Sequence, residues 1–151
     1  MMDLIAELRT EIWYLLTQDI PLKTICKGTV RLYNTWADQD SPMPYLVHRT
    51  QEKPLLDGVI TDIDYYLDIW DYDPSIARVL DIRSRIVALL DGSAFMFNSG
   101  AIARFKYFSG GDIPEGADGI QRHGTNDVQH YATQWKIRMD RTADIKAKEL
   151  I

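Results

Sequence analysis

The sequence predicts an α+β fold, in which a single antiparallel sheet of four to five strands has two main helices packed on one face. Residues 59–70 alternate between apolar and polar side chains, which is the pattern of a long strand with one buried face and one wetter face. Residues 3–17 and 74–90 instead repeat apolar side chains at helical spacing. The length of 151 residues suits one hydrophobic core, so residues 1–151 are predicted to form a single domain.

Local signals mark the ends of both predicted helices. The first helix begins at Asp3, whose carboxylate suits an N-cap, and Pro21 lies just beyond its end. The second helix is predicted to begin with Asp73 as its N-cap and Pro74 at its first position. It ends before Gly92, because glycine readily adopts the left-handed conformation that closes a helix.

The other strands are predicted from runs of β-branched and aromatic residues, at 29–36, 45–50, 101–108 and 128–140. Residues 109–127 contain five glycines and few apolar side chains, so we expect a long loop there. The charged tail, residues 141–151, is predicted to be a short terminal helix or a frayed end.

Composition narrows the class of partner. The formal net charge is −5, which argues against binding to nucleic acid through phosphate contacts. The lone cysteine, Cys26, cannot form an internal disulfide and is expected to be a buried, unreactive thiol in a reducing cytoplasm. No targeting segment and no apolar run of ~18 residues is visible, so no membrane partner is expected.

A row of aspartates on the long predicted strand is the main candidate for chemistry. Asp62, Asp64 and Asp68 project to one face, and paired carboxylates can hold Mg²⁺ or carry out acid–base work. The spacing does not match a calcium-binding loop, and no accompanying nuclease motif is present. The simpler interpretation is a solvated sheet face, with the aspartates paired to Lys136 and Arg138 on another strand.

No other motif predicts a catalytic or metal site. His48, His123 and His130 share no short spacing of the kind that binds zinc. No nucleophile elbow surrounds any serine, and Gly110-Gly111 lacks the Gly-Lys-Ser/Thr that completes a phosphate-binding loop. We therefore expect no catalytic residue, no bound metal and no cofactor.

Five residues are candidates for an assembly surface. Arg83 falls in the middle of the apolar face of the second helix, where a guanidinium needs a partner. The simpler interpretation is a snorkelling stem or an ion pair within the chain, and the alternative is a carboxylate of a neighbouring subunit. Leu55, Leu56, Ile113 and Ile120 are apolar residues in polar loops, which either fold back onto the core or meet another protein.

Four features follow one another along nearly the whole chain. They are Pro44-Tyr45-Leu46-Val47 after a polar loop, Asp68-Ile69-Trp70-Asp71 at the end of the long strand, a helix over 76–90 closed by Asp91-Gly92, and a final strand over 130–138. In this order they resemble the small phage tail-completion or tail-terminator proteins. The segment 109–127 is longer than that pattern has.

The resemblance implies a non-catalytic structural subunit that forms a ring, commonly a hexamer, which caps the tail tube and joins it to the head. Its partners would be other copies of itself and the tail-tube and neck proteins. It would be located in the tail or neck of the virion, assembled in the host cytoplasm. The row Asp62, Asp64 and Asp68 could then line a channel through which DNA passes.

Three alternatives remain open at this point. Another head–tail connector, such as a head-closure protein, would belong to the same structural class. A small metal-dependent hydrolase would use Asp62, Asp64 and Asp68, and its metal binding would be abolished by Asp64→Asn. A small-ligand-binding module is the last alternative, although no ligand is indicated.

Overall fold

The computed structural model describes residues 3–38, 40–53, 60–113 and 128–141. The elements in chain order are α1 (Leu4–Thr17), α2 (Ile20–Ile25), β1 (Leu32–Asn34), β2 (Tyr45–Glu52), β3 (Ile60–Tyr72), α3 (Ala77–Leu90), β4 (Ala94–Met96), β5 (Ile102–Asp112) and β6 (Val128–Asp140).

The strands form one six-stranded mixed sheet in the order β1-β2-β3-β6-β5-β4, curled into a half-barrel. The β1–β2 pair is parallel and the other neighbours are antiparallel. The prediction of a single antiparallel sheet of four to five strands with two main helices is therefore wrong. The described part of the chain has six strands, one parallel pair and three helices.

The additional helix, α2, is not predicted from the sequence, because Pro21 indicates the end of α1 and not the start of another helix. Pro21 lies in the first turn of α2, where a missing N–H leaves no backbone hydrogen bond unmade. Asp19 is the N-cap, and its Oδ2 accepts a hydrogen bond from the Leu22 N–H at 2.9 Å. The chain therefore begins a second helix immediately after α1.

The strand that the sequence did not predict is β4, and both edge strands, β1 and β4, have only three residues. Three residues are too few to display a period of two, so sequence alone gives no boundary for them. The predicted strand 29–36 shrinks to Leu32–Asn34 and runs parallel to β2, with Leu32 opposite Leu46.

The long elements agree with the sequence more closely. Asp3 caps α1, where its Oδ1 accepts hydrogen bonds from the N–H groups of Ile5 and Ala6. The second predicted helix, α3, begins at Ala77 rather than at residue 74, because Asp73 accepts the Ser75 N–H and holds a turn there.

The strand β5 extends into the segment that was predicted to be a loop. A bulge lies between Tyr107 and Ser109, and the strand continues to Asp112. Gly110 is required at its position, since a Cβ atom there would collide with the hydroxyl of Tyr107 and with the ring of Tyr131. The glycine that suggested a loop instead allows two tyrosines to pack over the strand.

Among the described residues, the three helices lie on one face of the sheet and no helix lies on the other. The helix α3 packs against β3, β5 and β6, and α1 and α2 pack against α3. The largest fully buried side chains of the core include Leu8, Ile12, Leu16, Ile63, Tyr65, Leu67, Ile69, Ile82, Ile86 and Trp135. We call the uncovered side the open face; it carries the alternate residues of each strand, among them Arg49, Asp62, Asp64, Asp68, Arg104, Lys106, His130, Lys136 and Arg138.

Candidate functional site

The aspartate row lies on the open face, where each of its carboxylates has a partner on β6. Asp62 accepts from the guanidinium of Arg138, with Nε to Oδ1 at 2.9 Å. Asp64 is within 3.2 Å of the Lys136 ammonium on β6 and 3.4 Å of the Lys53 ammonium beyond β2. The cross-strand pairing with Lys136 and Arg138 that the sequence indicated is thus confirmed.

The third aspartate belongs to an aromatic group at the other end of β3. Asp68 Oδ2 lies 2.9 Å from Nε2 of His130. The His130 ring stacks on Trp70 with centroids 3.7 Å apart, and Trp70 stacks in turn near Tyr45 at 6.2 Å. This end of the open face is therefore built from rings that lie against one another.

The ion pairs change the electrostatics of the row. The hydrogen bond from Arg138 holds the pKa of the Asp62 carboxyl below its ordinary value. The hydrogen bond to Asp64 likewise raises the pKa of the Lys136 ammonium. Each of these two aspartates is therefore offset by a cation, so they do not form a free negative surface.

The geometry gives no support to a metal centre in the described ranges. Within residues 3–38, 40–53, 60–113 and 128–141, no three His, Cys, Asp or Glu side chains come together in a way that could hold a metal ion. His48 points to the core face and His130 to the open face, with β3 between their strands. His123 lies outside the described residues.

His48 is the centre of a buried polar network that sequence reasoning did not find. Arg9 donates to Oδ1 of Asn34 at 2.7 Å, and Nε2 of His48 lies 2.8 Å from the same oxygen. Since that oxygen can only accept, Nε2 carries the proton, and Nδ1 accepts from the Tyr65 hydroxyl at 2.7 Å. Every polar group of the ring is satisfied while the imidazole is neutral.

This network predicts a loss of stability in mild acid. Burial, with a further contribution from the Arg9 charge, lowers the pKa of His48 from 6.5 to about 4. The unfolded chain therefore takes up a proton first, and the stabilising effect of His48 is complete above pH 6.5 and lost as the pH falls to about 4. We expect this residue to account for up to about 3 kcal/mol of the decrease in unfolding free energy across that window.

Urea unfolding of the wild type and of His48→Gln at a series of pH values from 7 to 4 measures how the free energy of unfolding depends on pH. Glutamine can donate and accept hydrogen bonds but does not titrate, so the variant should show a flatter dependence of stability on pH. Equal slopes in the two proteins would contradict the prediction.

Arg83 lies against tyrosines of its own chain. Its guanidinium hydrogen-bonds the Tyr107 hydroxyl and lies 5.8 Å from the centre of the Tyr131 ring. It has no carboxylate partner among the residues that the structure describes, and its Nε is buried without a hydrogen-bond acceptor. These contacts lie within the chain, but they are not the ion pair that was one interpretation of this residue, and its contact with a neighbouring subunit stays a prediction.

The remaining candidates divide between the described and the undescribed residues. Ile113 follows directly after β5 and is 41% exposed, whereas Leu55, Leu56 and Ile120 lie outside the described residues.

Cys26 is buried in the core, and burial raises the pKa of its thiol to about 11. In the ranges that can be described, no helix is long and apolar enough to cross a bilayer.

The structure adds a group of cations that the sequence did not single out. On the open face, Arg104 is directly opposite Arg138 and Lys106 is directly opposite Lys136. Like charges in directly opposed positions destabilise a strand pair. Arg104 and Lys106 are exposed and have no acidic partner in the described part of the chain, so this positive charge is uncompensated.

Comparison with known proteins finds a likeness of fold. No protein-family model matches the chain, and no curated protein sequence matches it. Among solved structures, it is similar to a chain of the virion of a native gene transfer agent (GTA) particle. The TM-score is 0.62 at 12% identity, and the match covers 85% of this chain and 91% of that chain. The two chains therefore share a fold over most of their lengths.

Proposed function

We propose that this protein is a structural subunit of a phage-like virion, and that copies of it form a ring that caps the tail tube and joins the tail to the head. The fold shared with a chain of a GTA virion carries this proposal. Because the likeness spans 91% of that chain, it concerns a whole subunit and not one motif. A virion position in the tail or neck follows from the same proposal.

The arrangement of the surface is consistent with a role in assembly. The helices occupy one side of the sheet and leave the open face available to other proteins. The aspartates that could serve a hydrolase are paired separately with Arg138, Lys136 and His130. These pairs stabilise the sheet surface, and they offset the negative charge on which a DNA-repelling channel lining would depend.

The test is the mass of the purified protein over a wide range of concentrations, with and without the tail-tube subunit of the same particle. We expect a concentration-dependent shift from a single chain to one closed species, six subunits if the ring is a hexamer. Electron microscopy of that species should show a ring. In the intact particle, density for the protein should lie at the junction of tail and head.

A protein that stays a single chain at every concentration, both alone and with the tail-tube subunit, would rule out the ring. Density located elsewhere in the particle would keep the virion role but exclude the terminal position. A ring at the head side of the neck would favour the head-closure alternative.

A further inference from the structure

Two surfaces of opposite charge lie on opposite layers of this domain. The first, which we call the basic patch, consists of Arg104, Lys106, Lys136 and Arg138 on β5 and β6 of the open face. Lys136 and Arg138 are paired with Asp64 and Asp62, and Asp140 lies on the same face two residues beyond Arg138. Arg104 and Lys106 have no acidic partner among the described residues, so the patch carries an excess of positive charge that suits an acidic partner.

Exposed apolar side chains border the basic patch. Phe108 is 59% exposed and lies over the Lys136 ammonium, 4.6 Å from it. Met96, on β4, is 74% exposed and is opposite Ile102 on the same face. Arg, Met and Phe are enriched at protein interfaces, whereas a surface that binds only phosphates has no need of Met96.

The second surface, which we call the α1 stripe, runs along the outer side of α1. Glu7, Glu11, Tyr14 and Gln18 follow one another at helical spacings of three and four residues, so they share one face. Glu7 and Glu11 are a like-charged pair at the spacing that brings side chains together, and neither has a cationic partner in the ranges described, although the half-buried Glu7 carboxylate accepts a hydrogen bond from the Asn98 N–H at 3.2 Å. Glu11 and Tyr14 also border a hollow of about 440 Å³ whose opposite wall includes Phe95.

We infer that the basic patch of one copy of this chain binds the α1 stripe of the next copy. The charges are complementary, and each surface adds apolar area to the contact, from Phe108 and Met96 on one side and Tyr14 on the other. Because the two surfaces lie on opposite layers of the domain, one copy cannot pair them internally. The contact is head-to-tail, and such a contact closes into a ring when its rotation divides a full turn.

A second copy fits the basic patch better than nucleic acid does. The overall charge of −5 opposes a polyanion, and only two of the four cations lack an acidic partner. Each of the two surfaces also combines charged side chains with exposed apolar ones. This inference rests on the proposed ring and identifies the surfaces that would form it.

Charge reversal of each surface is the experiment. The patch variant is Arg104→Glu with Lys106→Glu, and the stripe variant is Glu7→Lys with Glu11→Lys. Each should weaken self-association on the order of 100-fold, because like charges then face each other across the contact. Lys23→Glu with Lys27→Glu, in and just after α2, makes the same change in net charge as the patch variant but away from both surfaces, and it should assemble as the wild type does.

Mixing the two variants is the sharper measurement. The reversed patch of one variant is complementary to the reversed stripe of the other, and their unchanged surfaces are complementary as well. An equimolar mixture should therefore recover assembly with the two variants alternating, although neither assembles alone. If the patch variant does not fold, as shown by its thermal transition, Arg104→Gln with Lys106→Gln removes the charge with less perturbation.

The outcomes separate this inference from the proposed function. If the wild type forms a ring and both variants form it equally well, the two surfaces are not the contact, and the ring itself stands. If the wild type never assembles, the proposed ring and this inference both fail. If the patch variant assembles normally but no longer retains a short DNA duplex of random sequence that the wild type binds, the basic patch is a nucleic-acid site and the inference is overturned.

Discussion

Replacing Trp135 with alanine is expected to lower the free energy of unfolding by about 3–5 kcal/mol. Trp135 lies in the middle of β6 with none of its surface exposed. Its ring packs edge-on against Tyr107 with centroids 5.0 Å apart, and its Nε1 donates to Oγ1 of Thr133 at 2.9 Å. The substitution creates a large cavity between the sheet and the helices, and it also removes the donor to Thr133.

Urea or thermal unfolding of Trp135→Ala measures this effect, and Trp36→Ala is its matched control. Trp36 follows β1 and is 80% exposed, so the same change in composition there should alter stability by no more than about 0.5 kcal/mol. Similar losses of stability at both positions would show that Trp135 does not hold the core together.

The long elements could be predicted from sequence because their buried side chains repeat at the period of a strand or of a helix. Over β3, the side chains of Ile63, Tyr65, Leu67 and Ile69 are buried, whereas their neighbours on the open face, apart from Asp64, are only partly buried, which is the alternation that the sequence displays. The helix α3 buries Val79, Ile82, Ile86 and Leu90 at spacings of three and four residues. A pattern that repeats several times outweighs any single exception to it.

The bounds of β1 and the existence of β4 could not be predicted, because tertiary contacts and not local pattern define these short strands. The strand β1 exists because Leu32 and Asn34 meet β2, and Asn34 is then held by Arg9 and His48. The strand β4 forms where the chain leaves α3 and meets the beginning of β5, with Phe95 against Phe105. Neither contact has a signature within three residues of chain.

The open face was predictable only in part, for a similar reason. Alternation placed Asp62 and Asp64 on one side of the sheet, and the pairing with β6 followed from opposite charge. The excess of cations depends on the register of β5 against β6, which puts Arg104 opposite Arg138. The alternation within β5 fixes the face on which Arg104 and Lys106 lie, but a shift of two residues would keep that face and change the residue opposite Arg138, and nothing local to β5 excludes such a shift.

A second large effect is expected from Arg78→Met, which should lower the free energy of unfolding by about 3–5 kcal/mol. Asp71 lies at the end of β3 on the core side, and its side chain is fully buried. Arg78 donates to it twice, from Nε at 2.6 Å and from the terminal nitrogen at 3.0 Å, and this pairing raises the pKa of the guanidinium. Methionine fills much of the same space but leaves a carboxylate buried without its cation.

A double substitution distinguishes loss of the pair from loss of packing. With Asp71→Asn added to Arg78→Met, no fully buried unpaired charge remains, because Asp73, which also loses Arg78 at 3.3 Å, is one-third exposed; the double variant should therefore be more stable than Arg78→Met alone. The control is Arg138→Met, which removes the arginine from the Asp62 pair on the open face. Since that arginine side chain is 59% exposed, its loss should lower stability by no more than about 1 kcal/mol. If Arg78→Met and Arg138→Met lower the free energy of unfolding by the same small amount, the prediction is wrong and the carboxylate of Asp71 reaches water in solution. The end of β3 would then be less tightly packed against α3 than the buried position of Asp71 implies.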